Sequence, residues 1–119
     1  MDKRQEGFLG EEMAVQSLKE KGYKILERNY ANRFGEIDII AEERGSLVFV
    51  EVKKRATGRF GGPFSAIDKR KKDHLIRTAM CYLKENRACN KRARFDVVGI
   101  EGDKLQIIKN AFLVGEDGR

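Results

Sequence analysis

The sequence predicts an α/β fold in which a mixed central β-sheet is flanked by helices. Segments of helical and strand periodicity follow one another in the order α-β-β-β-α-β-β, which is typical of a single sheet with helices packed against it. Two apolar, β-rich runs at the centre of this order carry acidic residues near their ends. The chain has 119 residues, 40% of them hydrophobic, which is enough for one modest core.

The first half of the chain predicts a helix and three strands. The helix covers residues 7–21 and ends near Gly22, because glycine is favoured just after a helix. A strand over residues 23–29 follows. Residues 37–41 and 47–53 then form a hairpin around a polar turn.

The second half begins with a glycine-rich loop over residues 56–63. Ser65 and Asp68 resemble a capping box, which opens a long helix ending at about Glu85. Strands over residues 94–100 and 105–109 complete the predicted sheet.

Residues 1–119 are expected to form a single domain, with residues 113–119 as a flexible tail. No apolar run approaches the roughly 20 residues that cross a bilayer, and the first six residues lack the apolar segment of a secretory signal. Cys81 and Cys89 lack metal-ligand spacing and are expected to be reduced. We therefore expect a cytoplasmic protein with no membrane partner.

The central hairpin carries the main functional signal, in Gly35-Glu36-Ile37-Asp38 and Glu51-Val52-Lys53. If Arg44-Gly45 forms a two-residue turn, strand pairing places Asp38 opposite Glu51. Glu51 and Lys53 then lie on the same face, because strand side chains alternate. Two carboxylates and an amine would converge there, as in sites that bind a hard divalent cation.

A solvated sheet surface is the alternative interpretation of these acids, since alternating strands often carry charges on their outer face. The run over residues 48–52 is nearly continuously apolar, as in strands buried on both faces. A buried Glu51 is costly unless it is paired or bound to metal. This observation favours a functional site.

The net charge of +6 is concentrated just after the acidic hairpin. Residues 52–77 hold nine basic and two acidic side chains, whereas residues 1–51 hold eight basic and eleven acidic ones. A basic surface beside an acidic pocket suits a bound polyanion. A lysine-rich, solvated helix face is the alternative, and charge alone does not distinguish DNA from RNA or an acidic protein.

The two predicted helices add further candidates. Glu11 falls in the middle of an apolar stripe, so it needs a salt bridge, a contact with the helix N-terminus, or a place beside Asp38 and Glu51 as a third acid. Lys71 and Lys72 extend the apolar stripe of the second helix by one turn, within reach of a bound phosphate. Three other basic residues of that helix are expected on a solvated face: Lys69, Arg70 and Arg77.

A helix carrying Glu11, followed by Gly35-Glu36-Ile37-Asp38 and Phe49-Val50-Glu51-Val52-Lys53, resembles the PD-(D/E)xK nuclease superfamily. Over nearly the whole chain the pattern is similar to a small bacterial family of predicted endonucleases distantly related to archaeal Holliday junction resolvases. The resemblance implies a restriction-endonuclease-like core, and hence a single endonuclease-like domain.

The resemblance also implies roles for the matching residues. Asp38 and Glu51 correspond to the metal-ligating acids, with the Val52 carbonyl as a further oxygen ligand. Lys53 corresponds to the superfamily lysine, which orients water or stabilises the developing oxyanion. Glu11 corresponds to the helical glutamate of the resolvase-like branch.

Glu36 stands in place of the proline of the nominal motif and is expected to act as an auxiliary acid. The histidine of the family is absent ahead of Asn110, and His74 is expected to be solvated rather than catalytic. The residues expected to bind nucleic-acid phosphates are Arg55, Arg59, Lys71 and Lys72.

The implied function is metal-dependent, structure-selective endonuclease activity with Mg²⁺ as the cofactor and Mn²⁺ as a substitute. DNA with branches or junctions is favoured over RNA as the substrate. Contacts to backbone phosphates position a substrate without reading its sequence, so cleavage is expected to be structure-selective rather than sequence-specific. Resolvases of this type act as symmetric pairs, which suggests a homodimer. The alternatives are a non-catalytic nucleic-acid-binding protein that retains the fold, and a structural protein whose acids pair with neighbouring lysines.

Overall fold

The structure, a computed structural model, describes the main chain of residues 3–55 and 69–113 and the side chains of residues 9–54 and 69–111. These residues form two helices and five strands: α1 (Lys3–Glu20), β1 (Lys24–Asn32), β2 (Gly35–Glu43), β3 (Ser46–Arg55), α2 (Lys69–Glu85), β4 (Ala93–Glu101) and β5 (Lys104–Leu113). The strands form one sheet in the order β1-β2-β3-β4-β5. Within it β3 and β4 run parallel, and the other neighbours are antiparallel. The predicted order and mixed sheet are confirmed.

The helices cover opposite faces of the sheet. Leu75, Ala79 and Tyr82 of α2 share a core with Phe49 and Phe95. On the other face, Ala14, Val15 and Leu18 of α1 share a second core, which includes four strand residues from the middle of the sheet: Val48, Val50, Val98 and Ile100. Both faces of β3 are therefore buried, which explains its nearly continuous apolar run. This is the α/β architecture that the restriction-endonuclease-like resemblance implies.

The end of α1 was predicted at Gly22, and the structure confirms it. The Gly22 N–H donates to the Lys19 carbonyl at 3.0 Å, and the Tyr23 N–H donates to the Leu18 carbonyl at 3.0 Å. This pair of bonds is a Schellman motif, which requires a left-handed residue, and Gly22 has a φ of 96°. Tyr23 and Leu18 then join the same buried cluster, which fixes the direction of β1.

The central hairpin follows the predicted register. Arg44 and Gly45 have φ values of 51° and 83°, and positive values at both positions are the signature of a type I′ turn. Glu43 pairs with Ser46, and the ladder continues regularly to Ile39 and Val50. The next pair in this register is Asp38 with Glu51.

All five strands extend past their predicted bounds, and α1 begins at Lys3 rather than at residue 7. β1 continues to Asn32, and β5 passes Asn110 through a bulge opposite Phe95 and Val97. Asn110 has a φ of 56°, and its N–H donates to Asp96 Oδ1 at 3.0 Å, so a side chain replaces the missing ladder bond. Leu113, expected at the start of the tail, belongs to β5. The predicted loop, the capping box and residues 114–119 lie outside the described residues.

A buried polar cluster ties the end of β2 to β4 and β5. Asp96 is fully buried and accepts hydrogen bonds from Tyr23 Oη at 2.8 Å and Arg94 Nε at 2.9 Å. Arg94 also donates to Glu43, and Lys109 Nζ lies 3.0 Å from Glu43 Oε2. Within the described part of the chain, every buried side-chain nitrogen or oxygen has a hydrogen-bond partner. Each charge in this cluster is therefore compensated.

Within the described residues, neither α1 nor α2 combines the length and hydrophobicity that a bilayer-crossing helix needs.

Candidate functional site

A cleft opens in the sheet at Asp38, where β2 and β3 stop pairing. Beyond Ile39 and Val50 the two strands keep only their outer partners: β2 pairs with β1 to Gly35, and β3 pairs with β4 to Arg55. Asp38 Oδ2 accepts a hydrogen bond from the Val52 N–H at 2.8 Å. The carboxylate therefore occupies the place where a strand carbonyl would otherwise accept this bond.

The cleft has one acidic wall and one basic wall. Its cavity of about 430 Å³ is lined by Gly35, Glu36, Asp38 and Glu51 of the hairpin and by Arg70, Lys71, His74 and Leu75 of α2. Lys71 Nζ lies 2.6 Å from Glu51 Oε2. The Glu51 side chain is only 10% exposed, so this ion pair is largely shielded from water on the carboxylate side.

Burial raises the pKa of Asp38 from 3.8 to about 7, and the negative charge of Glu51 adds to this shift. The hydrogen bond from the Val52 N–H opposes the shift, because it favours the ionised carboxylate. The charges of Glu11 and Glu36 contribute smaller increases. Near neutral pH, a nearby cation would therefore strongly stabilise the ionised form of the Asp38 carboxyl.

Gly35 allows α2 to approach the acidic wall closely. Its φ is +156°, and a Cβ at this position would lie 3.1 Å from Thr78 Oγ1 and 3.8 Å from His74 Cβ. A larger residue would require Thr78 Oγ1 to give by a few tenths of an ångström. The glycine of the Gly-Glu-Ile-Asp motif thus permits this close approach, and Glu36 beside it is exposed at the rim of the cleft.

Glu11 is held by β1. Its Oε1 accepts hydrogen bonds from Arg28 Nη2 at 2.8 Å, Arg28 Nε at 3.1 Å and Asn29 Nδ2 at 3.2 Å. Arg28 Nη1 also contacts Glu12 Oε2 at 2.6 Å. The salt bridge considered from the sequence is therefore formed, while the charge of Glu11 still raises the pKa of Asp38.

The remaining predicted residues are placed less centrally. Lys53 follows Glu51 by two positions on β3 and is half-buried, as is Lys72 on α2. Among the described residues, Glu11, Lys53 and Lys72 are outside the set that lines the cleft. The Arg55 side chain and Arg59 lie outside the described residues.

The comparison with known proteins gives a family. Residues 10–100 match the sequence model of the uncharacterised protein family UPF0102. The chain belongs to this family. A UPF0102 protein of Sulfurihydrogenibium sp. (strain YO3AOP1) is 46% identical over 112 residues, covering 94% of this chain and 97% of that protein. One from Persephonella marina is 45% identical over 106 residues, covering 89% of this chain and 91% of that protein.

Among solved structures, this UPF0102 chain is similar to the structure titled "Structure of EndoMS-dsDNA2 complex". The TM-score is 0.35 and the identity is 19%, over 70% of this chain and 33% of that chain. This chain thus spans about a third of the matched protein.

Arg70 and His74 are cleft residues of this UPF0102 protein that sequence analysis missed. Both are exposed, as expected for a solvated face, yet both line the cavity beside Lys71. Arg70 and His74 are four residues apart, so they lie on one side of α2. That spacing was the available signal, but the direction of the helix face depends on how α2 packs on the sheet.

The donors in the cleft fit Mg²⁺ or Mn²⁺. Among the described residues, no group of three or more His, Cys, Asp or Glu side chains converges on one point. Asp38 and Glu51 supply two carboxylates, and Mg²⁺ is commonly held by one or two carboxylates with waters completing its coordination. The N–H and carbonyl of a strand residue point toward the same neighbouring strand, so the Val52 carbonyl faces the opening as its N–H does.

Proposed function

We propose that this protein is a metal-dependent, structure-selective endonuclease that hydrolyses phosphodiester bonds, with branched or junction DNA as its substrate. The observation that carries this proposal is the juxtaposition of Asp38 and Glu51 in a cleft whose opposite wall is basic. Two adjacent carboxylates, one buried and one half-buried, repel each other, and a cation relieves this repulsion. The basic wall attracts phosphate.

Asp38 and Glu51 are the proposed ligands of Mg²⁺ or Mn²⁺, with the Val52 carbonyl as a third oxygen. When bound, the cation supplies Lewis-acid activation of water and neutralises negative charge on the phosphate. Glu51 is buried and Asp38 is fixed by the Val52 N–H, so neither carboxylate needs large rearrangement to act as a ligand.

The other side chains position the reacting groups. Lys53 is the proposed residue that orients the attacking water or stabilises the oxyanion. Glu36, at the rim of the cleft, is a proposed auxiliary acid. Glu11 is fixed by Arg28 and Asn29 and acts on Asp38 through its charge.

Basic residues of α2 and of the preceding segment are the proposed phosphate contacts. Arg70, Lys71 and His74 line the cleft, and Lys72 lies in the same turn of the helix. Such contacts hold the backbone without reading bases, which supports selection by DNA structure rather than sequence. The remaining proposed contacts are Arg55 and Arg59. A junction has two equivalent strands to cut, so we also propose that two copies of the chain act together.

A non-catalytic nucleic-acid-binding protein is the second candidate. The ion pair between Lys71 and Glu51 favours it, because this carboxylate is already neutralised in the absence of metal. A pure binding protein, however, has no use for the acidic wall, since acids facing a polyanion weaken binding.

Cleavage of labelled single-stranded, duplex, flap and four-way-junction DNA and of RNA tests the proposal. Reactions would contain Mg²⁺, Mn²⁺ or EDTA, with Asp38→Asn and Glu51→Gln as site variants. Asp103→Asn removes an exposed acid from the turn between β4 and β5 and serves as the matched control.

We expect junction cleavage that requires a divalent cation and falls at least about a hundredfold in each site variant but not in the control. Binding without cleavage under every metal would favour the second candidate. Cleavage that persists in EDTA or in Asp38→Asn would refute the proposed site.

A further inference from the structure

The ion pair between Lys71 and Glu51 spans the centre of the cleft. Its two atoms are 2.6 Å apart, the Glu51 side chain is 10% exposed and the Lys71 side chain is 50% exposed. The carboxylate is therefore fixed in the protein, while the ammonium sits at the end of a long stem that reaches water. A lysine of this kind changes partners by rotating its stem, without moving the helix that carries it.

We propose that Lys71 couples divalent-cation binding to nucleic-acid binding. In the metal-free protein it neutralises Glu51, and when Asp38 and Glu51 hold a cation it turns to a backbone phosphate of the substrate. This inference rests on the proposed function, because it assumes that the two carboxylates are the ligands.

The first reason for the proposal is that Lys71 and a divalent cation would compete for the Glu51 carboxylate. The Lys71 ammonium contacts Glu51 Oε2, and a divalent cation on the same carboxylate would lie only a few ångströms away, where two positive charges repel. The more mobile of the two is the one that yields. The ammonium is the mobile partner, because α2 and the Lys71 backbone are fixed by the core that includes Leu75 and Ala79.

The second reason for the proposal is that the cleft offers Lys71 another anionic partner, a bound phosphate. Arg70 and His74 line the same cavity as Lys71, so a phosphate that enters the cleft meets all three α2 side chains. The described part of α2 begins with four basic residues, Lys69-Arg70-Lys71-Lys72, and has no acid in its first turn. Glu51 is the anion that lies beside Lys71, and a phosphate would take its place in the complex.

Reciprocal coupling follows. If cation binding releases Lys71 for the phosphate, the cation strengthens nucleic-acid binding, and nucleic acid strengthens cation binding by the same factor. Without nucleic acid, the cation has to displace Lys71, so its affinity is lower than the two carboxylates alone would give.

Two binding measurements on the full chain test this. Calorimetric titration with Ca²⁺, a hard cation with the same preference for oxygen ligands, gives the cation affinity without nucleic acid. Fluorescence anisotropy of a labelled four-way-junction DNA, with Ca²⁺ or with EDTA, gives the coupling factor. The variants are Lys71→Met and Lys71→Arg, with Lys69→Met as the control for loss of one positive charge in the same turn. Thermal unfolding checks that each variant is folded.

We expect Lys71→Met to bind Ca²⁺ about three- to tenfold more tightly than the wild type, and to lose most of the gain in DNA affinity that Ca²⁺ gives the wild type. Lys71→Arg retains the charge and pairs more firmly with Glu51 than lysine does, so its Ca²⁺ affinity should fall below that of the wild type. Lys69→Met should change Ca²⁺ affinity less than twofold.

Equal Ca²⁺ affinity in the wild type and Lys71→Met, or an undiminished coupling factor, would overturn the role of Lys71 and leave the metal site intact. Failure of the wild type to bind Ca²⁺, Mg²⁺ or Mn²⁺ would instead overturn the proposed function itself. The two failures are thus distinguishable. If Lys71→Met does not fold, the opposite shift expected for Lys71→Arg decides the question.

Discussion

The Val52 amide donates a hydrogen bond of 2.8 Å to Asp38 Oδ2 at the point where the central hairpin comes apart. The bond holds one carboxylate between two strands that no longer pair. It also leaves Glu51, the next residue in the register, facing Asp38 across the opening. A single main-chain to side-chain contact thus converts the end of a ladder into a site with two acids.

Divalent-cation affinity should depend steeply on pH. A cation binds the ionised form of Asp38, whose pKa is raised to about 7. Affinity should therefore increase by up to about tenfold per pH unit below this value and level off above it. Calorimetric titration at pH 6, 7 and 8 measures the effect. Equal affinities at the three pH values would show that Asp38 is not a ligand.

Stability should fall as the pH rises from about 4 to about 7. Because the pKa of Asp38 is raised from 3.8 to about 7, the folded chain binds more protons than the unfolded chain in this window. The stabilisation from the proton is complete below pH 4 and is lost as the pH passes 7. Asp38→Asn removes this contribution, so the free energy of unfolding should change with pH by on the order of 2 kcal/mol less than in the wild type.

Urea unfolding of the wild type and Asp38→Asn at pH 5 and pH 8 measures this difference. The pH range in which Asp38 changes the stability lies above the range in which Glu43 does. Burial opposes the ionisation of Glu43, but hydrogen bonds from Arg94 and Lys109 lower its pKa overall. The stability from Glu43 is therefore lost only at lower pH. Parallel profiles for the two proteins would contradict the prediction.

Asp96→Ala should destabilise the fold by about 3 kcal/mol, because it leaves Arg94 and Tyr23 without a shared buried acceptor. Tyr23→Phe removes only the hydroxyl and should cost about 1 kcal/mol. Chemical unfolding of both variants at pH 7 gives the two free energies of unfolding. A loss in Asp96→Ala no larger than that in Tyr23→Phe would mean that the ion pair is not important for stability.

Gly35→Ala should destabilise the protein and weaken cation binding together. The added Cβ meets Thr78 Oγ1 at 3.1 Å and the backbone has a φ of +156°, so the substituted residue is strained and Thr78 has to shift by a few tenths of an ångström. The expected cost is about 2 kcal/mol. Gly102→Ala is the control, since Gly102 also has a positive φ, of +64°, but no atom within 4 Å of the added Cβ.

Thermal unfolding and Ca²⁺ titration separate the two effects at Gly35. Gly102→Ala should lower stability by about 1 kcal/mol through its backbone alone and leave cation affinity unchanged. If Gly35→Ala behaves like Gly102→Ala in both measurements, the close approach of α2 does not shape the cleft.

The acidic hairpin was predictable because its geometry is local. A two-residue turn at Arg44-Gly45 fixes the register, and strand alternation then places Asp38 and Glu51 together. No distant part of the chain is needed for that inference. The end of α1 at Gly22 was predictable for the same reason.

Contacts between distant segments were not predictable in this way. The partners of Glu11 lie 17 and 18 positions away on an edge strand, and their approach depends on how α1 lies across the sheet. Asp96 meets Tyr23 across 73 positions. Arg70 and His74 enter the cleft because the packing of α2 turns one side of its first turns inward. Periodicity identifies the faces of a helix but not the angle at which it docks.

Ile39 and Val50 are the last backbone pair between β2 and β3 before the cleft, while β2 stays paired with β1 as far as Gly35 and β3 stays paired with β4 as far as Arg55. The sheet therefore has two halves, β1–β2 and β3–β4–β5, that separate beyond this pair, with Asp38 and Glu51 on opposite sides of the separation. A small change in twist between the two halves would alter the spacing of the two carboxylates without breaking a backbone hydrogen bond within either half. We therefore expect the spacing of the acidic pair to adjust to the size of the cation that Asp38 and Glu51 would hold.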